Sequence, residues 1–83
     1  MTQKENIYLL ARRIKGIATA VAAQNEQEAT YLLDGLSFGV DPAFIEQYSQ
    51  AILAVTQHKD DSEMLEIIAD GLIENATKNK GGI

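Results

Sequence analysis

The sequence predicts an all-α fold, a compact bundle of three to four helices, on three observations. Apolar residues recur at spacings of three and four along most of the chain, which is the period of a helix burying one face. Short polar residues that precede these runs, followed three positions later by an acid, mark helix starts. The 83 residues are 46% hydrophobic and include no cysteine, so a core must come from packing alone, without disulfides or thiolate metal sites. A chain this short has little core to spare, and the bundle is expected to be completed by self-association.

The first helix is expected over residues 3–23, with Thr2 and Glu5 as its capping pair. Ile7, Leu10, Ala11, Ile14, Ile17, Ala18 and Val21 form its apolar stripe. Gly16, Ala18, Ala20 and Ala22 are small enough to admit a neighbouring helix closely, although Gly16 costs ~1 kcal/mol of helix propensity relative to alanine. A second helix over 26–37 follows the cap Asn25 with Glu28 and presents Ala29, Leu32, Leu33 and Leu36, with Gly35 and Gly39 as stop signals.

A third helix is expected over 42–57, started by Asp41 and by Pro42, whose missing N–H does no harm in a first turn. Phe44, Ile45, Tyr48, Ile52 and Val55 face inward. The fourth, over 61–77, starts at Asp60 with Glu63 and carries Met64, Leu65, Ile67, Ile68, Leu72 and Ile73, an apolar arc too wide for one neighbour. That width points to a homo-oligomer, a dimer first, with Met64 and Ile67 facing the partner. Residues 1–77 then form a single domain, and 78–83 a flexible tail.

Charge is divided unevenly. Residues 1–25 carry Lys4, Arg12, Arg13 and Lys15 against Glu5, a net of +3, whereas residues 26–74 carry eleven acids against Lys59, a net of −10. Most of the surface therefore repels nucleic acid. No apolar run approaches the ~20 residues that span a bilayer. The stretch R-R-I-K-G-I-A-T-A-V-A-A-Q imitates a secretion signal, but Lys15 and Thr19 interrupt it, and a cytoplasmic protein, bacterial or phage in character, is the expectation.

The stretch G-V-D-P-A-F-I-E-Q-Y has the spacing of a helix-turn-helix corner: Gly35, Gly39, Val40, Ile45 and Tyr48 occupy the small, turn and inward positions. Its outward positions, Asp41, Pro42, Ala43, Glu46 and Gln47, include two acids and no cation, which is the wrong chemistry for phosphate. A structural corner, with Glu46 and Gln47 turned toward a protein partner, is the favoured reading. A DNA-reading regulator, or an antagonist of one, is the runner-up.

Arg12, Arg13 and Lys15 are the candidate anion or partner contact, and binding of a phosphate-bearing small molecule through them is a weaker alternative. His58 sits at a helix end, where the dipole favours a cation. The acids Asp60, Asp61, Glu63 and Glu66 lack the alternating ligands and central glycine of a calcium loop. Ser37, Ser49 and Ser62 have no histidine beside them, and no glycine-rich phosphate loop occurs. The expectation is a non-enzymatic interaction module without metal or cofactor, which docks a helical face onto a protein partner.

Overall fold

The computed structural model describes the backbone of residues 3–81 and the side chains of residues 3–77. Five helices account for nearly all of this, in the order α1 Gln3–Ala22, α2 Glu26–Asp34, α3 Pro42–Gln47, α4 Ser49–Gln57 and α5 Ser62–Gly81, with no strand among the described residues. The fold is all-α, as the apolar periodicity predicts. Thr2, the expected first cap, and the last two residues of the expected tail lie outside the described residues; α5 continues four residues past the expected end at 77.

α2 and α5 pack on α1, and side chains of α3 and α4 join the core that α1 centres. Ile7, Leu10, Ala11, Ile14, Ile17 and Ala18 are all nearly inaccessible, and with Ala20 they make up almost half of the buried hydrophobic residues. Successive residues advance ~100° around a helix, so these side chains and their neighbours divide α1 into three strips. One strip carries Arg13, Gly16 and Ala20 and meets α2: a Cβ on Gly16 would lie 3.7 Å from Leu32, and Arg13 reaches the end of α2. The opposite strip carries Lys15, whose ammonium lies 2.8 Å from Asp70 of α5.

Between them run Leu10, Ile14, Ile17 and Val21, which join Leu36, Val40, Phe44 and Val55 in one continuous core. The same ion pair, together with the approach of Val21 and Gln24 to the α4–α5 turn at Lys59 and Asp60, makes α1 and α5 antiparallel. The flanking helices α2 and α5 therefore lean on opposite sides of α1 without packing on one another.

Helix ends follow side-chain chemistry. Asn25 Oδ1 accepts from the Glu28 N–H at 3.2 Å, and Asp41 Oδ1 accepts from the Ala43 N–H at 3.0 Å with Pro42 beside it, as expected. The cap of α5 is Asp61 instead of Asp60: its Oδ1 accepts from the Met64 N–H at 3.1 Å. The turn hydrogen bond from the Asp61 N–H to the His58 carbonyl holds Asp60 in the turn and leaves the next residue to cap.

α1 closes in a Schellman turn. The Gln24 N–H donates to Val21 and the Asn25 N–H to Ala20, with Gln24 at φ 59°. Glutamine occupies a left-handed position that glycine adopts without penalty.

Two expectations change. The helix expected over 42–57 divides at Tyr48, where ψ of 24° takes the chain off the helical path. Tyr48 stacks on Phe44 with ring centroids 4.5 Å apart, which ties the turn before the break to the residue at it. The second helix ends at Asp34 instead of 37, and residues 35–39 continue as tight turns with bonds from Leu36 to Leu33 and from Phe38 to Gly35. These shorter-range bonds draw the chain toward the Arg13 guanidinium.

The wide apolar arc of α5 is largely used within the chain. Leu65, Ala69, Leu72 and Ala76 are buried, Met64, Ile68 and Ile73 half-buried, and Ile67 is exposed.

Gly16 is not required by contact, since 3.7 Å is ordinary van der Waals distance, and a Cβ on Gly71 would meet nothing within 4 Å. Gly16→Ala and Gly71→Ala should each raise stability by ~0.5–1 kcal/mol in urea unfolding, through helix propensity. Gln24→Gly should add about 1 kcal/mol by relieving the left-handed strain. A loss on Gly16→Ala would mean that α1 and α2 lie closer than described.

Candidate functional site

The three basic residues of α1 do not converge on one ligand position. Arg13 turns to the end of α2, where its Nη1 donates to the carbonyls of Phe38 at 2.7 Å, Leu36 at 2.9 Å and Gly35 at 3.4 Å. Carbonyls past a helix C-terminus have no intrahelical partner, and a cation placed among them satisfies several at once. Arg13 is thus a clamp that fixes the α2–α3 segment to α1.

Lys15 turns the other way, to Asp70. The hydrogen bond that the Lys15 ammonium donates to Asp70 and then the charge of Asp70, with a smaller push from Glu66, hold the Lys15 pKa above its ordinary value. A raised pKa favours the cation in the folded state, so this contribution is full at neutral pH and fades only as alkaline pH passes the raised value. Both partners are well exposed, so the pair adds little to stability. Arg12 is exposed. Each member of the cluster thus has a different setting, and two of the three are engaged within the chain.

The α2–α3 segment displays two large aromatic side chains. Tyr31 is 74% exposed and Phe38 is 80% exposed. Tyr31 lies on α2 and Phe38 seven residues on, in the tight turns that follow the helix. Leu53 of α4 and Ile67 of α5 are the other large exposed apolar residues, at 51% and 62%. They stand seven residues before and after Asp60 in the α4–α5 turn.

A cleft of about 660 Å³ opens where the central strip of α1 emerges beyond the cover of α3 and α4. Its base is Ile17, Val21, Ala29 and Leu33. One wall is the flank of α2 with Glu26, Thr30 and Asp34, and the facing wall is the α4–α5 turn with Lys59 and Asp60. The left-handed Gln24 and the cap Asn25 close the end. The rim thus sets three carboxylates against one ammonium. The volume falls in the range of small-ligand and side-chain pockets.

In the corner from Gly39 to Tyr48, Gly39 has φ 74° and Val40 is buried, while Ile45 and Tyr48 are half-buried and the helix that follows the turn breaks at Tyr48. Asp41, Ala43, Glu46 and Gln47 are exposed on it, and α3 is six residues long. His58 closes α4 and is exposed. Among the described residues no group of three or more histidine, aspartate or glutamate side chains is placed to hold a metal, and no helix is long and apolar enough to cross a membrane.

Composition pointed to Arg12, Arg13 and Lys15, yet the exposed aromatics and the cleft are the more distinctive surface features. A signal for the aromatics was present in the sequence: Tyr31 and Phe38 are off-period for the apolar face of the second helix.

Arg13→Met should cost about 1–3 kcal/mol in urea unfolding, since it strips several carbonyls of a charged donor. It should also speed amide exchange at Leu36 to Val40, while Arg12→Met changes neither. Equal effects of the two substitutions would contradict the clamp. No protein family model, characterised protein or solved structure matches the chain.

Proposed function

We propose that this chain is a non-enzymatic protein-interaction module of the cytoplasm, which binds a protein partner by docking an exposed helical face. The observation that carries the reading is the pair Tyr31 and Phe38, two large aromatics held in solvent on a segment clamped by Arg13. Aromatic side chains dominate interface hot spots because they bury much area at low entropic cost, and rigid presentation lowers that cost further.

Among the described residues no contact requires these rings outside. A serine at either position would keep the local turns and avoid exposing apolar surface to water. Asp34 follows Tyr31 by one helical turn, Glu28 precedes it by one, and Asp41 follows Phe38, so the ridge is bordered by acids and favours a basic partner surface.

Self-association is the second part of the proposal, through the exposed Leu53 of α4 and Ile67 of α5 together with the half-buried Met64. Glu46 and Gln47 lie exposed at the other corner as further partner contacts. A DNA-reading role gains no support from that corner, whose outward residues include no cation. Capture of a phosphate-bearing ligand at Arg12, Arg13 and Lys15 gains none either, since Arg13 and Lys15 are engaged elsewhere.

The test is affinity capture from the native cell with the wild-type chain and with the double variant Tyr31→Ser, Phe38→Ser. A partner retained by the first and lost by the second, at unchanged helix content, is the expected outcome. Equal retention would contradict the ridge as the docking face. Light scattering reads the second part directly, and a monomer at high micromolar concentration would refute it.

A further inference from the structure

We propose that the cleft between α2 and the α4–α5 turn receives a basic amphipathic helix of the partner protein, which completes the bundle. The inference rests on the interaction-module reading and gives the partner's docking segment a chemistry. Its first ground is what α2 lacks. This helix packs on α1 and on no other helix to a comparable degree, and none of its residues is fully buried, although Ala29, Leu32 and Leu33 form a helical apolar face.

In a bundle each helix ordinarily has neighbours on both flanks. The flank of α2 with Glu26, Thr30 and Asp34 faces a gap of about 660 Å³, across which the nearest element is the turn at Lys59 and Asp60.

The second ground is chemical. Val21, Ala29 and Leu33 offer the gap an apolar base, and Ile17 closes it beneath. Glu26 and Asp34 mark the ends of the α2 wall, eight residues and hence ~12 Å apart, with Asp60 on the wall opposite. A helix laid along the gap presents about two turns to it. Apolar residues at spacings of three and four would meet the base, and lysines or arginines on either side of that stripe would meet the carboxylates.

One face of such a segment satisfies both features of the gap. A lone small cation would leave the apolar base wet, and an acidic segment would be repelled by Glu26 and Asp34 of the α2 wall, with Lys59 offsetting Asp60 on the wall opposite.

The third ground is position. On the wheel of α2, Tyr31 follows Asp34 by about 60°, so the exposed ridge is the outer shoulder of the same gap. A partner that docks its helix in the cleft meets Tyr31 as it leaves.

The experiment titrates the full isotope-labelled chain with a synthetic alanine-based helical peptide of about 20 residues, long enough to hold helix in water. It carries a leucine stripe flanked by lysines; a control replaces the lysines with glutamates. The expected result is saturable amide shifts at Val21, Gln24, Ala29, Leu33 and Asp60 with the lysine peptide, and affinity at least about tenfold weaker with the control. The triple variant Glu26→Lys, Asp34→Lys, Asp60→Lys should lose the lysine peptide and gain the glutamate one. Ala29→Phe, which fills the base without altering charge, should lose both and decides the matter if the triple variant does not fold.

No saturable shifts, or equal binding of the two peptides, would overturn the inference. So would displacement of the peptide by an equimolar amount of spermine, or the same shifts on raising the concentration of the chain alone, which assign the gap to a small cation or a second copy. Shifts confined to Tyr31 and Phe38 would overturn the cleft while leaving the interaction module standing.

Discussion

The structure depends on one constraint: a single helix, α1, must serve as the inner element for everything else. Its residues Leu10, Ile14 and Ile17 are fully buried, and no other helix contributes as many buried side chains. Truncating any one of them to alanine forfeits roughly 2–5 kcal/mol. The whole folded state of a chain this size is worth roughly 4–12 kcal/mol. Three strips of α1 are in use, one under α2, one under α5 and one between them. Because α2 and α5 occupy opposite sides, they cannot cover one another, and the strip between them needs its own cover from α3 and α4.

That cover stops short. The chain spends six residues on α3 and nine on α4, then turns at Lys59 and Asp60 to begin α5, and the end of α1 at Val21 and Gln24 is left with helices on its sides and a gap between. α2 is consequently held from one side only. Arg13 strengthens that side by collecting the carbonyls past the helix end, and the Schellman turn at Gln24 sets the angle at which α2 leaves α1. The left-handed Gln24 is a local strain at the mouth of the cleft, where a glycine would have been easier. One-sided support and an acid-rimmed gap both follow from giving α1 too many partners and α2 too few.

Much of this was legible in the amino acids. Helix period located α1 and, with the caps Asn25 and Asp41, α2 and the start of α3, and none of the expected core residues turned out fully exposed, since burial follows the same periodicity that reveals the helix. The break at Tyr48 was not legible, because it involves neither proline nor glycine; it accompanies a ring stack with Phe44. The cap at Asp61 was misplaced by one residue because Asp60 has an acid, Glu63, three positions on whereas Asp61 has Met64, and the turn at His58, which the spacing does not report, overrides that signal.

Arg13 was read as an anion or partner contact because its acceptors are main-chain carbonyls, which every sequence has and none advertises. The width of the apolar arc on α5 was read as an intermolecular face, yet α1 and the neighbouring helices take most of it. The cleft could not be read at all: it is a place where helices fail to meet, and periodicity reports only which face of a helix is apolar.

The one-sided support of α2 is the claim on which the functional account rests, and native-state hydrogen exchange measures it directly. Amides in the middle of α1 and α5 should exchange only through global unfolding, while those of Thr30 to Asp34 in α2 should exchange through a smaller opening, at a free energy well below the global value and with weak denaturant dependence. Exchange of α2 at the global free energy and with the global denaturant dependence would mean that it is supported on both flanks, and would contradict the account.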